Sequence, residues 1–508
     1  MRTINSMKNA ATGVGGQSLT IILQFISRTV FIYTLGKEYL GISSLFSSIL
    51  QVLSITELGI GTAIVYSLYK PLAEKDEYSV SANMNFLRKA YFGVGSLVGV
   101  IGLILIPFLP SIMKETTDLV NINLVYILYL FQSVSSYWFF AYKSLLLKAD
   151  QKSYIVNISK YLVLVFSVGL QIIILIVLKS FILYTIIGIA ANIVSNLIVS
   201  HKVDKSYPYL KKYKNALLPK DEKKIVYKNL YGVSMYKINS TIVRSTDSIV
   251  ISSFISTIAV GLYSNYHLIV STLITMSKLF FSSFTASVGN LFVSEDKEKS
   301  EFIFRCLSFL SFWLYGFAAI TLWILFNPFI TLWVGEEYLF NNYIVLVIVI
   351  DFLLDGYQQV SISYKDACGL FWKGRYRPLA TGVLNVVISV ILAPRIGIAG
   401  VLLGTIISRL LTTWWFEPWM VHKYAFGIKV NNYFIRYFKF IGLVLIMGYF
   451  CNLIISPFSE VSWVNLFIKL AVCIIIPNSF FYVVFKNTEE FQYIKEALAK
   501  LFSKIKRR

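Results

Sequence analysis

The sequence predicts an all-α polytopic membrane protein of about fourteen transmembrane helices. The expected arrangement is two six-helix bundles around a central cavity, with two additional helices at the C-terminal end. Three observations lead there. Of 508 residues, 56% are hydrophobic and only 14% charged, where soluble domains carry about 25% charged residues; the mean hydropathy is +0.68. The apolar residues fall in runs long enough to cross about 30 Å of hydrocarbon as a helix, which takes about 20 residues. Lysine and arginine collect in every second connection between those runs. A soluble enzyme, a secreted disulfide scaffold and a disordered chain are excluded by the same numbers.

The first bundle is read from runs near 13–35, 40–68, 89–113, 119–142, 155–178 and 181–200. Six more lie near 230–255, 258–288, 303–326, 341–364, 378–395 and 397–421. The last two lie near 436–456 and 463–485. Runs 40–68 and 258–288 exceed one bilayer thickness, so they must tilt, bend or protrude. The opening MRTINSMKNAATGVGGQ is basic but lacks a short apolar core followed by a small-residue cleavage site, so no signal peptide is expected. The glycines of ATGVGG (11–16) enter a membrane helix, where close helix packing is their expected use.

Orientation follows from the positive-inside rule. With the N-terminus in the cytoplasm, 37 Lys and Arg fall on the cytoplasmic side, four on the outer side (Lys37, Lys114, Lys179 and Arg395), and six inside spans. An even number of spans with both ends inside is required, and fourteen meets it. The formal net charge of +21 is therefore a topology signal, and nucleic acid is not an expected partner. The basic stretch HKVDKSYPYLKKYKNALLPKDEKKIVYKN (201–229) separates a bundle at 1–200 from one at 230–421. Two additional helices occupy 422–485, and a basic tail fills 486–508. The tail either lies on anionic headgroups or is simply solvated.

The two halves look alike. YLGISSLFSSIL (39–50) opens the second run, just after the one that carries Arg28; AVGLYSNYHLIV (259–270) stands in the same place after the run that carries Arg244. Each half also closes with a short outer turn, within 177–198 and 392–411. Internal likeness of this kind is a mark of transporter folds.

Charges inside the spans are the candidate functional residues, because a charge at mid-bilayer costs about 2.5–3.5 kcal/mol on insertion scales. The basic set is Arg28, Lys237, Arg244, Lys278, Arg409 and Lys469, and the acidic set Glu57, Asp247, Asp351 and Asp355. Arg244 and Asp247 share a helix face, as do Asp351 and Asp355. Lys469 is expected to snorkel outward. Two readings are open. Arg28, Arg244, Lys278 and Arg409 can line a cavity that takes an anionic headgroup, or each can be half of a structural ion pair, such as Arg28 with Glu57 or Arg244 with Asp247. Asp351 and Asp355 can relay a proton or bind Na⁺, or can sit at a wet helix end.

No catalytic constellation accompanies these charges, and the chain is not expected to be an enzyme. It has no G-x-x-x-x-G-K-[ST]. Its four cysteines and three histidines show no ligand spacing, so neither a metal nor another cofactor is expected.

SRTVFIYTLGKEYLGISSLFSSILQVLSITELGIGTAIVYSLYKPLAEKD (27–76), VGLYSNYHLIVSTL (260–273) and IGIAGVLLGTIISRLLTTWWFEPWMVHKYAFG (396–427) carry a resemblance. Over about 1–485 the chain resembles bacterial polysaccharide repeat-unit flippases, the transporters of O-antigen, capsule and exopolysaccharide units. These belong to the multidrug/oligosaccharidyl-lipid/polysaccharide export superfamily. The resemblance implies a V-shaped central cavity between the bundles and residence in the bacterial cytoplasmic membrane. Its implied cargo is an undecaprenyl-pyrophosphate-linked oligosaccharide, moved by alternating access from the inner to the outer leaflet for cell-surface polysaccharide synthesis. Arg28 and Arg244 match positions where such carriers place cavity cations. A polysaccharide polymerase and glycosyltransferases are implied working partners, beside the lipid bilayer itself. A cation-coupled multidrug-type exporter, a peptidoglycan-precursor flippase and a non-transporting scaffold are the alternatives.

Overall fold

A computed structural model describes residues 2–57, 60–114, 121–221, 223–224, 241, 243, 245–282, 284, 288–289 and 297–506. Helices fill nearly all of this, and no strand occurs among the described residues. The chain is an all-α, multi-pass membrane protein. Ten of the described helices are long and apolar enough to cross a membrane, or eleven when the bent pair Ile122–Trp138 and Lys143–Ala149 is taken as one span.

Two of the ten are each two helices joined at a break. Arg2–Leu53 (α1) is interrupted at Gly36, with φ 85°. Arg377–Leu411 is interrupted at Ile396 and Gly397, the glycine with φ 63°. A left-handed φ is open to glycine without a Cβ penalty, so both breaks fall where the sequence supplies one. The overlong run 40–68 is relieved by a 3-10 turn at Ser54–Glu57 before the helix Ile60–Glu74 (α2). The bend of 51° after Trp138 breaks the fourth run. Other helices begin at a polar residue just ahead of the apolar run. Asp76 caps Glu77–Leu105 (α3), its carboxylate accepting from the Ser79 amide at 3.0 Å. Asn121 caps Ile122–Trp138 (α4), and Ser180 caps Phe181–Ser206. Asn341 caps Asn342–Ala367, and Ser462 caps Trp463–Phe485. Such caps satisfy amides that a helix start leaves unbonded.

The chain divides into two compact units, 1–261 and 262–508. The division falls inside the helix Thr257–Ser282, beyond the basic segment 201–229. In the first unit α1 packs along Ser153–Leu178, which packs in turn on Phe181–Ser206. Gly16 of the early glycine cluster lies against the Tyr161 ring, as close packing requires. The two repeat openings also touch each other. A Cβ on Gly41 would lie 2.2 Å from the Thr257 carbonyl oxygen, and one on Gly261 would lie 2.8 Å from the Gly41 nitrogen. Gly41 therefore meets the backbone of 257–261 within the first unit, with no room for a side chain.

In the second unit the two additional helices, Asn431–Ile455 and Trp463–Phe485, pack on Lys297–Val334. Ile320, Val444, Met447, Cys451, Cys473 and Phe481 form the buried core of that contact. Lys469 does not snorkel; it is buried on Trp463–Phe485. The tail is helical over Glu489–Lys506, and its start is docked. Glu490 accepts from Arg436 Nη1 at 2.8 Å and from Arg305 Nη1 at 3.3 Å, and Phe491 stacks on Trp313.

Candidate functional site

Arg28 lies on α1 two helical turns before the break at Gly36, about 12 Å along the axis. It is half-buried. The groups that act on it electrostatically are the hydroxyls of Tyr184 and Tyr129, and among the described residues no carboxylate pairs with it. Tyr129 comes from α4 and donates to Ser43 Oγ at 2.7 Å, which fixes its ring. Tyr184 comes from Phe181–Ser206 and packs edge-on against Phe31 at 5.2 Å. Phe31 is three residues after Arg28, hence on nearly the same helix face, and it also meets Phe181 at 5.8 Å. The guanidinium thus sits in an aromatic and phenolic setting that offers hydrogen-bond acceptors and, among the described residues, no carboxylate. A planar fork of N–H donors placed in this way matches a phosphate geometrically.

The expected Arg28–Glu57 pair does not form. Glu57 ends the 3-10 turn, and its Oε1 accepts from Tyr91 Oη at 3.1 Å. Tyr137 hydrogen-bonds the same carboxylate. Two phenols from the third and fourth spans satisfy the acid, so it has no need of the arginine.

Arg409, in the second unit, is treated oppositely. Its Nη1 donates to Asp351 Oδ1 at 2.8 Å and lies 3.5 Å from Asp355 Oδ1. One guanidinium thus bridges two carboxylates one turn apart on Asn342–Ala367. Arg409 was grouped above with the cavity cations; its charge is already answered within the unit. Asp247 is buried on the helical segment 245–254, and Lys278 is half-buried on Thr257–Ser282. Arg244 and Lys237 lie outside the described residues.

A further charged group escaped the sequence reading. Glu417 is almost completely buried and accepts from Lys365 Nζ at 3.3 Å and from Arg377 Nη2. Lys365 is also 3.6 Å from Asp366. This knot ties the ends of three spans together. Lys365 and Arg377 are among the 37 cytoplasmic-side cations of the positive-inside count, which takes no account of partners. The available signal was Glu417 itself, an acid inside the apolar aromatic run TTWWFEPWM.

No protein-family profile matches the chain, and no curated protein sequence matches it. Solved structures do. The lipid II flippase MurJ, in an inward closed conformation, superposes with a TM-score of 0.64 at 13% identity, covering 96% of this chain and 99% of its own. An inward-facing multidrug resistance MATE family transporter of the MOP superfamily gives a TM-score of 0.60 at 14% identity, over 77% of this chain and 91% of its own. The Vibrio cholerae MATE transporter VcmN, in a mutant form, gives 0.58 at 14% identity, over 84% and 98%. The chain has the fold of the MOP-superfamily transporters. At these identities it is the fold that is shared.

Proposed function

We propose that this protein is a flippase that carries undecaprenyl-pyrophosphate-linked oligosaccharide repeat units from the inner to the outer leaflet of the cytoplasmic membrane. It would do so by alternating access, in the service of cell-surface polysaccharide synthesis. The observation that carries the reading is Arg28, an intramembrane guanidinium surrounded by tyrosines with no acid on it among the described residues. A charge held in that way is stabilised when an anion visits it. The pyrophosphate is that anion: its oxygens accept paired N–H bonds from the guanidinium, while Tyr129 and Tyr184 hydroxyls face the sugar-phosphate junction. Arg244 and Lys278 are proposed as further cations of the same path. The membrane potential favours the direction. Moving two negative charges outward, down an interior-negative potential of 100 mV, gains roughly 4–5 kcal/mol.

The test uses the full-length protein in vesicles loaded with a labelled lipid-linked oligosaccharide. The label should become accessible on the far side at a rate that falls sharply in Arg28→Ala. An unchanged rate would remove Arg28 from the path.

Two other readings have observations in their favour. The likeness to MurJ, which spans 96% of this chain, supports a peptidoglycan-precursor cargo, and the same assay with that lipid tests it. The likeness to MATE transporters, one of them a multidrug resistance transporter, and the two carboxylates Asp351 and Asp355 gathered at Arg409 support a cation-coupled small-molecule exporter. That reading predicts uptake of free cationic solutes and indifference to Arg28→Ala.

A further inference from the structure

The second unit holds a cavity of about 450 Å³ at the end that carries the basic tail. Its size falls in the range of small-molecule sites, roughly 300–1,000 Å³. Its wall is aromatic. Phe304, Phe309 and Phe312 come from Lys297–Val334, Phe440 from Asn431–Ile455, and Phe485 from the end of Trp463–Phe485. Phe440 and Phe485 stack at 4.8 Å, and Phe309 meets Phe485 edge-on at 5.2 Å.

The rim is cationic. Arg305, Lys429, Arg436 and Lys439 line it with two acids, Glu301 and Glu490. Both acids are already engaged. Glu301 accepts from Arg305 Nε at 2.9 Å, and Glu490 bridges Arg305 and Arg436. Lys429 and Lys439 are exposed. Four cations against two carboxylates leave an excess of two positive charges over an apolar interior.

We propose that this cavity binds one anionic phospholipid of the leaflet on which the basic tail lies. Its phosphate rests on Arg436, Lys429 and Lys439, and an acyl chain runs against the Phe309, Phe440 and Phe485 rings. The chemistry is complementary at both ends: a charged rim for the headgroup and an aromatic wall for the chain. The site lies wholly within the second unit and is separate from Arg28. Glu490 gives it a built-in competitor. Its carboxylate occupies Arg436, the guanidinium that the phosphate would take, and it belongs to the first turn of the tail helix. Headgroup binding and docking of the tail therefore oppose each other.

The experiment is native mass spectrometry of the full chain in detergent, with phosphatidylglycerol and phosphatidylcholine of matched chains added in turn. Phosphatidylglycerol is retained in preference. Lys429→Gln with Lys439→Gln lowers its retention by about fivefold per lysine and leaves phosphatidylcholine unaffected. Both lysines are exposed, so a matched thermal unfolding midpoint verifies that the variant is folded. Glu490→Gln raises phosphatidylglycerol retention. Lys495→Gln with Lys500→Gln, on the tail, leaves it unchanged. Equal retention of the two lipids overturns the proposal. So does an equal loss in the tail variant, which would mean diffuse surface charge. Displacement of the lipid by millimolar inorganic phosphate would show a site for a bare anion and overturn it too.

Discussion

Arg28, in the first unit, and Arg409, in the second, both lie within spans, and their surroundings differ in kind. Arg28 is met by the hydroxyls of Tyr129 and Tyr184. Arg409 is met by the carboxylates of Asp351 and Asp355. The same side chain is thus met by phenols in one place and by carboxylates in the other. A buried pair is weak evidence of net stabilisation, but removing one partner is expensive because it strands the other. A buried cation without an acid gives up little stability when removed, so its retention has to be explained by what binds it. The contrast teaches that charge within a membrane span is informative only together with its partners.

The largest effect should come from Arg28. Arg28→Ala is expected to lower transport of an anionic lipid by about 10- to 100-fold, the worth of charged hydrogen bonds to a ligand, with the unfolding midpoint nearly unchanged. Arg28→Lys, which keeps the charge but loses the fork, should recover part of the rate. Vesicle translocation and thermal unfolding of the same preparations check both statements.

Arg409→Ala should show the reverse pattern. Its partners are partly exposed, so the loss is below that of a fully buried pair, about 1–3 kcal/mol. The triple change Arg409→Ala, Asp351→Asn and Asp355→Asn should recover part of the stability, because it removes the carboxylates that Arg409 leaves behind. If the single variant is as stable as the parent, the ionic trio does not hold the second unit together.

Gly41→Ala separates sterics from charge. Its new methyl would meet the Thr257 carbonyl, at an overpacking penalty of about 1–3 kcal/mol. Stability should fall without any change in preference among cargo charges. A neutral outcome would mean that the backbone crossing yields easily.

The smallest effect is at the membrane face. Asp76→Ala removes the cap on the third span, for about 1 kcal/mol or less. Hydrogen bonds from Ser79 hold the Asp76 carboxyl below its usual range. The cap's contribution is therefore complete above the ordinary aspartate pKa of about 3.9 and is lost as pH falls through the lower folded value. A pH series of unfolding midpoints should show parent and Asp76→Ala converging only in acid.

The spans were readable because each is an apolar run of bilayer length ended by a polar residue or a glycine. Gly36, Gly397 and the caps Asp76, Asn121, Ser180, Asn341 and Ser462 all stand at such edges. The partners of the charges were not readable. A helix that is apolar all round has no preferred face in its sequence, so nothing local says that Arg409 turns toward Asp351, 58 residues away. The same holds for Glu57, which meets Tyr91 and Tyr137 in place of Arg28. Glu417 was overlooked because its cations, Lys365 and Arg377, read as ordinary loop charges. The all-α, multi-span fold expected from the sequence is shared with MurJ and with MATE transporters, while the cargo is a proposal that rests on Arg28.

The most direct measurement of that claim is binding of a labelled undecaprenyl-pyrophosphate oligosaccharide to the parent, Arg28→Gln and Arg409→Gln proteins, each matched for folded fraction. The account predicts a loss of about tenfold or more in Arg28→Gln and little change per folded molecule in Arg409→Gln. Equal affinity in the parent and Arg28→Gln would contradict it.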